Sequence, residues 1–104
     1  MKKLCVLLLL TVSLFANAKE YTFSPKDVPA MKQLLGSGNL QPGDAVVLKD
    51  GTYHNLEEIH FTGKGVSGKP IVWRAENPGK AVISGKLRLK IYGEYLQLED
   101  LLFY

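Results

Sequence analysis

The chain has 104 residues with 13 lysines and arginines against 10 aspartates and glutamates, a formal charge of +3, and a single cysteine. That length could hold one small domain, and one cysteine excludes a disulfide framework or a thiolate metal cluster within the chain. The charge is partly a feature of the N-terminus: without residues 1–18 the balance falls to +1.

Residues 1–18 have the layout of an export leader. Lys2 and Lys3 form a positive start, Leu4–Phe15 is an uncharged and largely apolar run, and Ala16-Asn17-Ala18 fits the small-x-small cleavage pattern. As a membrane anchor the run is too short, since a helix needs about 20 apolar residues to cross the hydrocarbon core. Cleavage after Ala18 is expected, giving a secreted or periplasmic protein with no membrane association after cleavage. Cys5 lies far from that cleavage point, so a lipid-bearing N-terminal cysteine is not expected, and residues 19–104 carry no cysteine.

Residues 19–44 read as a lead-in strand and a capping helix. Tyr21 and Phe23 alternate within Lys19–Ser24 as an extended segment would require. Asp27 is a candidate N-cap, Pro29 fits a first helical turn, and Val28, Met31, Leu34 and Leu35 fall on one helical face. Gly36-Ser37-Gly38 is expected to end that helix at Leu35. A short helix with one apolar stripe needs a surface to cover, and its place in the chain suggests the open end of a sheet.

From Gln41 the pattern changes. Pro42-Gly43-Asp44 is a turn, Ala45–Leu48 an apolar strand, and Asp50-Gly51 a second turn before the β-forming pair Thr52-Tyr53. Ile59–Phe61, Ile71–Trp73, Val82–Ile83, Leu87–Ile91 and Leu96–Leu98 follow as short strands. Gly63–Pro70, Asn77-Pro78-Gly79, Gly85 and Gly93 separate them with turn chemistry. Residues 45–104 are therefore all-β. Taken alone, Asp50-Gly51 is a hairpin signal and favours a sandwich. Against it, Leu87, Leu89 and Ile91 alternate with Lys86, Arg88 and Lys90, and the same inward-apolar pattern returns in Tyr95–Tyr104, which fits stacked rungs of a solenoid. Leu101-Leu102-Phe103-Tyr104 would make an adhesive edge in a finished protein, so the sequence reads as truncated at its C-terminus.

Several motifs suggest chemistry, and each has a plainer explanation. Gly63–Lys69 follows the letters of a phosphate-binding loop, but Pro70 replaces the metal-binding hydroxyl and a strand replaces the following helix, so no nucleotide or nucleic acid is expected. His54 and His60 have no third defined metal ligand, and adjacent Glu57 and Glu58 would point to opposite faces of a strand, as would Glu99 and Asp100. Trp73 is expected in the core. Tyr92 and Tyr95 could stack on sugar rings. Lys64, Lys69, Arg74, Lys80, Lys86, Arg88 and Lys90 face only Glu76 as a counter-charge between Gly63 and Gly93, a stretch compatible with a polyanion or with a solvated basic surface. No nucleophile, base and orienting partner can be assembled.

From Leu40 onward the sequence resembles the N-terminal part of the family-six polysaccharide lyases, the group that contains alginate lyases and chondroitinase B. The carrying residues are Pro42-Gly43-Asp44, Val46-Val47-Leu48, Asp50-Gly51-Thr52-Tyr53, Gly63-Lys64-Gly65 and Gly68-Lys69-Pro70-Ile71. They continue with Arg74-Ala75-Glu76, Pro78–Gly85 and Leu89–Leu96.

The resemblance implies the first rungs of a right-handed parallel β-helix, with a short N-terminal capping helix over Val28–Leu35. It also implies β-elimination on an acidic, uronic-acid polysaccharide, alginate foremost, with Ca2+ neutralising the substrate carboxylate. The family's lysine, arginine and calcium ligands lie on later rungs, so no catalytic, cofactor-binding or metal-binding role is carried onto this chain, which by itself is expected to be inactive. Two other readings are a non-catalytic β-solenoid that binds acidic glycan through Lys86, Arg88 and Lys90, and a glycoside hydrolase on the same scaffold.

Overall fold

The computed structural model describes residues 18–104. The leader and its cleavage pattern lie outside them except for Ala18.

Nine strands and one α-helix follow in order. They are β1 (Glu20–Phe23), a 3-10 turn (Pro25–Asp27), α1 (Val28–Ser37), β2 (Ala45–Leu48), β3 (Gly51–His54) and β4 (Glu57–Lys64). The rest are β5 (Ile71–Ala75), β6 (Ala81–Ser84), β7 (Leu87–Glu94), β8 (Leu96–Glu99) and β9 (Leu102–Phe103). Every strand pairing is parallel, in three ladders ordered β1-β2-β5-β8, β3-β6-β9 and β4-β7. The hairpin reading of Asp50-Gly51 is thereby excluded: β2 and β3 do not pair, and each bonds instead to the strand one turn further along the chain. Each circuit visits the three ladders in turn, so neighbours in space are distant in sequence.

Inward side chains form columns across successive circuits. Tyr21, Val46, Trp73 and Leu98 share one column, Tyr53, Ile83 and Phe103 another, and Phe61 and Ile91 a third. Val46, Trp73, Tyr53, Ile83 and Phe61 are at most 1% exposed. A pleated strand directs alternate residues inward, which is why Ile71, Trp73 and Ala75 are buried while Val72 and Arg74 are half-exposed. Burying apolar area at about 25 cal/mol per Å2 is what holds such circuits together. The corners are polar: Asn55, in the left-handed region at φ 50°, accepts the Lys86 N–H at 2.8 Å through its side chain, and the Asn77 side chain donates to Asp50 at 2.9 Å.

The N-terminal segment follows the same path. β1 pairs with β2, the 3-10 turn packs beside β3, and α1 packs beside β4 with Met31 and Leu35 fully buried. These segments therefore lie against β2, β3 and β4, the strands of the first complete circuit. One local expectation needs correction and another is refined. The helix runs two residues beyond Leu35, through Gly36 and Ser37, and stops at Gly38, which takes the left-handed cap conformation at φ 75°. Asp27 occupies the N-cap position of α1 as expected, but its side chain makes no capping bond; its carboxylate accepts the Ser24 N–H at 3.0 Å and hydroxyl at 2.8 Å, and these bonds hold it below the usual carboxylate range.

Tyr53 supplies a test of the interior. Its hydroxyl lies 2.8 Å from the Lys49 carbonyl and 3.1 Å from that of Phe23, donating to one of them. Burial foremost, then Asp27, Asp50 and Glu76, pushes the phenol from 10.0 up to about 12. The folded value lies above the unfolded one, so this contribution is complete below pH 10.0 and lost as pH rises through about 12. Unfolding measured across that window is expected to show a steeper loss of stability for the native protein than for Tyr53→Phe.

Candidate functional site

The chemically richest surface is the outward face of the β4-β7 ladder. Inward Ile59 and Phe61 fix the phase of β4 and turn Glu58, His60, Thr62 and Lys64 outward. Their partners in register are Arg88, Lys90, Tyr92 and Glu94. His60 Nε2 lies 2.7 Å from Glu58 Oε1, Lys90 Nζ is 3.3 Å from the same oxygen, and the His60 and Tyr92 rings sit 5.8 Å apart at 53°. The His60 hydrogen bond first, and then Lys90, hold the Glu58 carboxyl below its usual range. Beside this row, Leu40, Pro42, Thr62, Lys64 and Tyr92 line an open hollow of about 510 Å3.

This surface can present a cation and an exposed aromatic ring to a ligand, with Lys90 engaged by Glu58. Calcium fits poorly: the ion takes 6–8 oxygen ligands, the Glu58 oxygen is already shared by His60 and Lys90, and no group of three metal-ligating side chains occurs among the described residues.

The remaining candidates are dispersed. His54 is exposed on β3 and bonds Ser84 Oγ at 2.9 Å, on a different ladder from His60. Glu57 and Glu58 are both exposed, Glu57 at a corner with φ 63°. The phosphate-loop lookalike ends β4 and forms a tight Val66–Lys69 turn that leads into β5. Trp73 is wholly buried, edge-on to Phe61 with ring centres 6.2 Å apart. Lys86 and Arg88 are exposed, whereas Arg74 pairs with Glu20.

Glu20 and Glu58 were invisible as counter-charges in the local sequence, because parallel stacking brings them in from other circuits. Among the described residues no helix is long and apolar enough to cross a membrane.

Comparison with known proteins matches residues 30–104 to the chondroitinase B family. No curated protein matches the chain. Among solved structures it is similar to a mannuronic acid specific polysaccharide family 6 lyase from human gut microbiota, at 98% identity and a TM-score of 0.82. That match covers 83% of this chain and 19% of the other. The PL6 family alginate lyase AlyGC matches at 29% identity and a TM-score of 0.65, covering 82% of this chain and 11% of the other. A PL6 alginate lyase in complex with a trisaccharide matches at 28% identity and a TM-score of 0.62, over 85% of this chain and 17% of the other. The chain therefore spans less than a fifth of each of these relatives. With ordered parallel ladders, a family match over most of its length and these structural neighbours, the chain belongs to the chondroitinase B family of polysaccharide lyases, family six.

Proposed function

We propose that this chain forms the opening rungs of a secreted lyase that cleaves mannuronate-containing alginate by β-elimination. The observation that carries the reading is the 98% identity to the mannuronic acid specific lyase over 83% of this chain. In that reaction a base removes the proton α to the uronate carboxylate and the glycosidic oxygen leaves with a proton. A carbon–carbon double bond then remains in the new non-reducing end. Masking the carboxylate charge is what makes the proton removable. On this reading the reacting base, the acid and any calcium site belong to later rungs, and this stretch alone is inactive.

In the same reading the fold is a right-handed parallel β-helix capped by β1, the 3-10 turn and α1. Residues 1–18 direct export and are removed by cleavage after Ala18. The half-exposed inward side chains of the last circuit, Ile91 at 50% and Phe103 at 45%, support a stack that continues.

The test uses the chain continued by the remaining rungs of its relatives, offered polymannuronate, polyguluronate and a dermatan-type polymer. Ultraviolet absorbance of the unsaturated uronate is expected to rise fastest with polymannuronate. Glycan retention without absorbance would replace the lyase by a binding module, and release of saturated ends would replace it by a hydrolase.

A further inference from the structure

Asp44 is 2% exposed, the single charged side chain in the buried set among the described residues. Its Oδ2 accepts the Gln41 backbone N–H at 2.8 Å, and its Oδ1 accepts the backbone N–H of Lys19 at 2.9 Å. Among the described residues no cationic side chain forms an ion pair with it. A buried carboxylate without a cation is costly to hold even when it accepts hydrogen bonds.

Lys19 is the residue that follows the cleavage pattern Ala16-Asn17-Ala18. Its main chain is fixed on both sides, because its carbonyl also accepts the Ala45 N–H at 2.8 Å, the first bond before the β1-β2 ladder. Hydrolysis of the Ala18–Lys19 peptide bond would turn one neutral N–H into an ammonium with three donors at a nitrogen already 2.9 Å from the carboxylate.

We propose that leader removal creates an ion pair between the Lys19 α-ammonium and the buried Asp44 carboxylate, locking the first strand onto the fold only after processing. The proposal rests on the export reading of residues 1–18. Asp44 is also a junction between circuits: its carbonyl accepts the Val72 N–H at 3.0 Å, and neighbouring Gly43 donates to Lys69 O at 3.1 Å. An ion pair on Asp44 therefore bears on β1, β2 and the approach to β5 together. Beside it lies an open hollow of about 520 Å3 whose other titratable lining groups are Tyr21, Lys69 and the Lys19 side chain.

The experiment begins with intact mass and N-terminal sequencing of the exported protein, where Lys19 is the expected first residue. Another first residue would sink the export reading of this cleavage point while leaving the pairing itself open to measurement. The pairing is read from four purified proteins: the form beginning at Lys19 and a form with one glycine added before it, each with and without Asp44→Asn. At pH 7 the added glycine is expected to lower the folded-to-unfolded ratio about tenfold, or about 1.4 kcal/mol, and to change nothing in the Asp44→Asn background.

Pairing raises the folded value of the α-ammonium above its ordinary range of about 7.7–8.0. The glycine effect must therefore be full below that range and vanish as pH rises through the folded value. An effect that is absent, that is equal in both backgrounds, or that persists at high pH overturns the pairing. Should Asp44→Asn fail to fold, the pH dependence of the other pair of proteins decides alone.

Discussion

Replacing Trp73 with alanine is expected to destabilise the protein by about 3–5 kcal/mol. Typical domains have a total stability of about 5–15 kcal/mol, so this single change approaches unfolding. Trp73 stands in the column between Val46 and Leu98, has no exposed surface, and meets Phe61 edge-on. Its removal leaves a void bounded by circuits that are fixed to one another by main-chain bonds and cannot close on it. Trp73→Phe is expected to cost far less, because the indole Nε1 has no hydrogen-bond partner among the described residues and so no bond is lost. Denaturant titration of both variants checks the order; equal losses would mean that the column tolerates a void.

Gly93→Ala is the second severe change expected. Gly93 stacks in register on Gly63, and a Cβ there would overlap the Gly63 carbonyl oxygen, which is main chain and cannot swing away. Its φ of 143° adds strain for any L side chain. A loss of about 4 kcal/mol or more is expected, the range reserved for backbone or core disruption. Gly79→Ala is the control: φ there is 72°, with nothing within 4 Å of the added carbon, so only the strain of about 1–2 kcal/mol remains. If the two variants lose similar amounts, close stacking of the glycines is not what Gly93 serves.

Much of the fold was legible because strand and turn chemistry are local. Ala45–Leu48 was delimited correctly by its flanking turns, the helix began at Val28 as its apolar spacing required, and the β7 alternation placed Arg88 and Lys90 outward. The end of the helix is not legible locally, because three consecutive residues, Gly36-Ser37-Gly38, all carry stop chemistry. Only the cap geometry selects the last. The candidate surface was less legible. Lys86, Arg88 and Lys90 read as a free basic stripe, yet Lys90 is paired with Glu58, and Asp44 read as an ordinary turn residue although it is buried.

By itself, then, the sequence determined the element types and the family, since each depends on residue identity and short spacing. The tertiary structure decided that Asp50-Gly51 turns a corner rather than a hairpin. It decided too which acidic groups meet which cations, and that the Lys19 nitrogen rests on Asp44. Those outcomes depend on parallel stacking of circuits of unequal length. Contacts between residues one circuit apart leave no fixed period along the chain from which they could be read.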